Sequence, residues 1–102
     1  MNTVIDPRVG VTWRTVLLQA AEETRRRGHC QDSGQGKNGE RCTIWLLASA
    51  KDTLGVPSSV QSYPEAMLAV RRAVAPEGIV VWNRRQTAAT VIEMFERAAL
   101  GK

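Results

Sequence analysis

The stretch "TWRTVLLQAAEETRRRG", Thr12 to Gly28, decides the fold. Trp13, Val16, Leu17, Ala20, Ala21 and Thr24 recur at helical spacing and form one apolar stripe. Gln19, Glu22 and Glu23 fall largely on the other side. Thr12 suits the N-cap, where its hydroxyl can accept an orphan backbone N–H. Arg25, Arg26 and Arg27 occupy the last turn, where positive charge complements the helix dipole. Gly28 is then placed to be the left-handed cap residue.

Working outward, "DSGQGKNG" (Asp32–Gly39) has three glycines and no apolar residue, so it reads as a mobile loop. A second helix is expected from Arg41 or Cys42 to Lys51. Cys42, Trp45, Leu46, Ser49 and Ala50 share one face, and Ile44, Leu47 and Ala48 make the rest apolar too. A helix apolar nearly all round is expected to be the central one. Gly55 and Pro57 break the chain within "LGVPSSVQ".

"SYPE" (Ser62–Glu65) opens a third helix, with Ser62 as cap, Pro64 in the first turn and Glu65 at capping-box spacing. Tyr63, Ala66, Met67, Val70 and Val74 line its inner face, leaving Arg71 and Arg72 outward. Pro76 and Gly78 end it. "IVVW" (Ile79–Trp82) is too short for a helix and reads as a buried extended segment or a lone strand. Asn83 or Thr87 caps the last helix, whose stripe is Ala88, Val91, Ile92, Phe95 and Ala99, with Gly101 at its end.

These elements predict an all-α, compact four-helix domain spanning 1–102. A polar loop follows helix 1, a short extended segment precedes the last helix, and residues 1–11 form a flexible arm. With 43% hydrophobic and 24% charged residues the composition is that of a globular protein. Three of its five aromatics are tryptophan, so Trp13, Trp45 and Trp82 are expected to pin a core of small aliphatics. No run of 18 apolar residues occurs, so no membrane span is predicted. The N-terminus lacks a basic start and an apolar h-region. Two cysteines without an export signal point to the cytoplasm and free thiols.

Cys30, Cys42 and the single histidine, His29, all fall in "RRRGHCQDSGQGKNGERC" (Arg25–Cys42). With Asp32 they make a conceivable metal set, but structural zinc uses spaced ligand pairs, and adjacent His-Cys does not supply them. No metal or other cofactor is expected. A Cys30–Cys42 disulfide is geometrically possible and disfavoured by a reducing compartment. As a nucleophile Cys30 follows a helix C-terminus, the unfavourable end. Cys42 sits at a favourable N-terminus, but its spacing with Trp45 and Leu46 turns it inward. The loop glycines do not match GxxxxGK[ST], and Lys37 is not followed by a hydroxyl residue. No catalytic residue is assigned, and the chain is not expected to be an enzyme.

The net charge of +4 permits acidic partners. Arg25, Arg26, Arg27, Arg71, Arg72, Arg84 and Arg85 are the possible nucleic-acid contacts, although no pair of helices has the tight turn of a helix–turn–helix. Acidic residues are interspersed among them.

The order of "GHCQ", "RCTIWLLASA" and "VVWNRRQTAATVIEMFERAA" resembles a family of short proteins of unknown function from actinobacteria and their phages. In that family a Gly-aromatic-(Cys or Thr)-Gln turn precedes a Cys-bearing helix and a Trp-Asn segment leading into a Thr-containing helix. The resemblance covers about Thr12 to Ala99. It implies a structural motif of Gly28, Cys30, Gln31, Cys42, Trp82, Asn83 and Thr87. His29 departs from it where an aromatic is usual, as does Arg84 where an acid often follows the Asn, and the polar loop is shorter. No activity comes with the likeness. Gln31, Asn83 and Thr87 are suited to hydrogen-bonding the loop backbone onto the last helix.

The chain is therefore expected to be a small non-enzymatic domain that binds a protein partner through an apolar patch rimmed by arginines, with a homodimer possible. A nucleic-acid-binding accessory protein is the alternative.

Overall fold

The computed structural model describes residues 11–31, 36, 39, 41–57 and 61–102. The expected N-terminal arm, apart from Val11, and most of the 32–40 loop lie outside the described residues. Among these described residues five α-helices follow in order: α1 Trp13–Arg27, α2 Thr43–Thr53, α3 Ser62–Val74, α4 Ile79–Asn83 and α5 Ala88–Ala99. Among the described residues extended backbone pairs only at a parallel bridge between His29 and Arg41.

Local chemistry sets the helix ends. Thr12 Oγ1 accepts from Thr15 N–H at 3.3 Å at the start of α1. Thr87 and Thr90 exchange side-chain and backbone bonds in a capping box at the start of α5. At the end of α2, Val56 N–H bonds Lys51 C=O and Gly55 N–H bonds Asp52 C=O. Lys102 and Gly101 repeat that pattern on Arg97 and Ala98 at the end of α5. Both are Schellman caps, and both turn on a glycine at positive φ, +71° for Gly55 and +82° for Gly101. Gly28 has φ +84° but ψ 177°, so it sends the chain out of α1 extended rather than left-handed. That exit delivers His29 to its bridge with Arg41.

Helix α1 occupies the centre, packing on α2, α3 and α5, while α3 also meets α4 and α5, and α2 meets α4. Ala20, Ala21, Ala50, Ala66, Ala98 and Ala99 are all buried, and small side chains allow close helix approach. Phe95, Leu17, Leu46, Leu47 and Met94 are the largest apolar side chains that are fully buried.

Several sequence expectations are corrected. The central helix is α1 rather than α2. Helix α2 buries Thr43, Leu46, Leu47 and Ala50, a stripe turned about one residue from the expected face. When a helix is apolar nearly all round, periodicity does not fix which side faces in. Trp45 lies about 200° round from Thr43 at about 100° per residue, and it is 50% exposed. The core is thus not pinned by three tryptophans. Trp13 and Trp82 are half-buried against it, and Phe95 is its fully buried aromatic.

Ile79–Asn83 is a short helix rather than an extended segment. Its helical turn places Ile79 and Asn83 together on the buried side, and Trp82 N–H bonds Gly78 C=O at 3.0 Å. Ser62 does not cap α3. Gln61 already has helical dihedrals, so Ser62 falls inside the first turn, with its hydroxyl buried and unpartnered among the described residues. Finally, Glu23 is buried, 1% exposed, despite its place on the polar side of the sequence pattern.

Candidate functional site

Cys42 is the N-cap of α2, and its side chain makes no capping bond. Asn83, arriving from α4, does the capping instead. Its Nδ2 donates to the carbonyls of Cys30 and Gln31, both at 3.0 Å. Two acceptors on that side fix the amide orientation. Oδ1 consequently faces Thr43, accepting from its backbone N–H at 2.8 Å and also from its hydroxyl. His29 Nε2 lies 2.7 Å from the same oxygen and must therefore carry its proton. One buried side chain thus ties the exit of α1 to the entry of α2.

The remaining residues of the expected motif, Thr87 excepted, fall around this junction. Cys30 N–H bonds Arg41 C=O at 3.0 Å and Arg41 N–H bonds Gly28 C=O at 3.5 Å, closing the ends of the polar loop. Gln31 Nε2 donates to Gln86 C=O at 2.8 Å. Trp82 C=O accepts from Gln86 Nε2 at 3.1 Å. Thr87 is not part of the junction, since its hydroxyl caps α5 itself. The loop ends are consequently held by α4 and the turn after it rather than by the last helix. Cys30 is half-buried, Cys42 is buried, and both thiols are free. Among the described residues no cluster of histidine, cysteine and carboxylate groups could hold a metal ion. Thr43 and the α2 capping role of Asn83 were not read from the sequence, because a residue 40 positions away supplies the cap.

The arginines divide into two groups. Arg25 bonds Glu22 and Glu96, and the Glu96 bond, then the Glu22 bond, hold its guanidinium above the ordinary range. Arg26 and Arg27 both pair with the buried Glu23, which also meets Thr53 Oγ1 and Gln19 Nε2 at 3.4 Å. Arg85 pairs with Glu77. Arg71, Arg72 and Arg84 are exposed and make no ion pair among the described residues. A readable signal for Glu23 was present: it stands seven residues after Val16 and three after Ala20, in register with the apolar stripe. Two arginines follow it at i+3 and i+4.

A groove runs between the C-terminal end of α1 and the outer face of α2, lined by Arg27, Arg41, Trp45, Ala48, Asp52 and Thr53. The Arg41 guanidinium lies 5.4 Å from the centroid of the Trp45 ring, within cation–π range. Leu18, Leu68, Val80, Val81 and Leu100 are the other large apolar residues left in solvent among the described residues. No helix among the described residues is long and apolar enough to cross a membrane.

No family model, curated relative or solved structure matches the chain.

Proposed function

We propose that the chain is a non-enzymatic interaction domain that binds a protein partner through the Trp45 groove. The observation that carries this reading is Trp45 itself: a large aromatic held half in solvent, with Arg41 over its ring and Arg27 across the groove. Tryptophan and arginine are the residue types that most often carry the binding energy of protein interfaces. Asp52 on the same groove gives it mixed charge, which suits a polar rim.

The arginine pairing favours a protein over nucleic acid as partner. Of the seven candidate contacts, Arg25, Arg26, Arg27 and Arg85 already face carboxylates. A phosphate backbone would have to compete with those acids for the same guanidinium groups. In line with the sequence resemblance to actinobacterial and phage proteins, the proposed partner is either a host protein or a second copy of this chain.

The test is capture from an actinobacterial lysate by tagged wild-type and Trp45→Ala chains, with nuclease and at two salt concentrations. A stoichiometric protein retained by the wild type and lost by the variant is expected. Identical captures by both chains, or loss of the captured material on nuclease treatment, would overturn the reading.

A further inference from the structure

Two thiols flank the polar loop, and the Asn83 junction uses neither, although it fixes where both stand. At the parallel bridge between His29 and Arg41, Cys30 N–H donates to Arg41 C=O at 3.0 Å and Arg41 N–H donates to Gly28 C=O at 3.5 Å. The next rung of such a ladder would run from Thr43 N–H to Cys30 C=O. The Asn83 amide takes that place: Oδ1 accepts from Thr43 N–H at 2.8 Å and Nδ2 donates to Cys30 C=O at 3.0 Å. Cys30 and Cys42 therefore stand in register, between the last direct rung and the inserted amide. Paired extended chains run about 5 Å apart, and residues in parallel register project to the same side. That spacing lies inside the roughly 4.4–6.8 Å between Cα atoms that a disulfide requires. The two thiols differ in access: Cys30 is half-buried, and Cys42 is buried.

We infer that Cys30 and Cys42 form a redox-active dithiol that takes small disulfides as its oxidant and closes reversibly into a covalent staple between the exit of α1 and the entry of α2. Cys30, the more accessible thiol, reacts first. Its thiolate bonds to one sulfur of the small disulfide, that molecule's S–S bond breaks, and one small thiolate leaves. The Cys42 thiolate then attacks the Cys30 sulfur and expels the second small thiolate. The protein loses two electrons to the small disulfide, and its two thiol protons end on the two small thiols released. An excess of small thiol runs the sequence backward, so a reducing compartment keeps both cysteines free. The pair is independent of any partner at the Trp45 groove.

The experiment equilibrates the full chain in glutathione buffers of stepped oxidised-to-reduced ratio, quenches with acid and reads intact mass. Folded wild type is expected to lose two hydrogen atoms, carry no glutathione and stay free of disulfide-linked dimer. Cys42→Ser should stop at a single glutathione adduct on Cys30. Cys30→Ser should react about tenfold more slowly or less, because Cys42 is buried. The folded chain should keep its internal bond in buffers about tenfold more reducing than the same chain in urea does, since the fold supplies the proximity. An equal ratio in folded and urea-unfolded chain would overturn the inference, as would glutathione adducts on both cysteines of the wild type. So would a disulfide-linked dimer as the main product, or equal reaction rates for the two serine variants.

Discussion

Replacing Asn83 by alanine removes the cap of α2 and the clasp on the loop in one step. The cost can be built from its partners. Thr43 is 1% exposed, so its N–H and hydroxyl lose their acceptor with no water to replace it. Leaving such buried donors unsatisfied costs about 1–3 kcal/mol each. Relaxation of the hydroxyl toward a new acceptor lowers that sum. The carbonyls of Cys30 and Gln31 stand where the chain is half-buried or exposed, so they rehydrate at little cost. Asn83→Ala should therefore destabilise the domain by roughly 2–4 kcal/mol, which for a chain of this size lowers the melting temperature by roughly 10–25 °C. Urea denaturation followed by far-UV circular dichroism reads this directly, with Gln31→Ala as the comparison. The Gln31 bond to Gln86 is on the surface, and its loss should cost less than about 1 kcal/mol. If Asn83→Ala falls within about 1 kcal/mol of wild type, or Gln31→Ala is equally damaging, the clasp does not hold the loop as described.

Other outcomes follow from the same contacts. Glu23→Ala should cost about 1–3 kcal/mol in urea melts, because a buried carboxylate serving Arg26, Arg27 and Thr53 disappears; that range is set low because both arginines keep access to water. Glu22→Ala, on the exposed side of the same helix, should change stability by less than about 0.5 kcal/mol. Thr87→Ala should lose about 1 kcal/mol through the α5 capping box, with Thr87→Ser retaining most of it. Gly55→Ala, at φ +71°, should destabilise by about 1 kcal/mol or more even though open space surrounds the position, since the strain lies in the backbone. Trp45→Ala should leave the melting temperature nearly unchanged, because the residue is not part of the core cluster.

Much of the helical framework was legible because α1, α3 and α5 carry clear one-sided stripes. The threonine caps at Thr12 and Thr87 and the terminal glycines Gly55 and Gly101 bound their elements by local chemistry alone. What was not legible depended on distance or on ambiguity. The uniformly apolar α2 gave no phase, so Trp45 was assigned to the wrong face. The β-branched run in Ile79–Trp82 favours a strand, and only the burial of Ile79 with Asn83 one helical turn later makes it a helix. The grouping of Gln31 and Asn83 with the loop came from a resemblance rather than from periodicity. That Asn83 reaches Thr43, and that His29 joins the same oxygen, required the folded chain. Glu23 was misread because a charged residue was assigned to the solvent face by type, against the register of its position.

The proposal of a partner-binding Trp45 face is tested most directly by photo-crosslinking from that position. A tagged chain carrying a photoreactive phenylalanine at residue 45 would be expressed in an actinobacterial host, irradiated, and compared with the same probe at Glu93, an exposed side chain on α5. A discrete protein adduct of fixed mass from residue 45, insensitive to nuclease and absent from residue 93, is the expected result. No adduct from residue 45, or the same adducts from both positions, would contradict it.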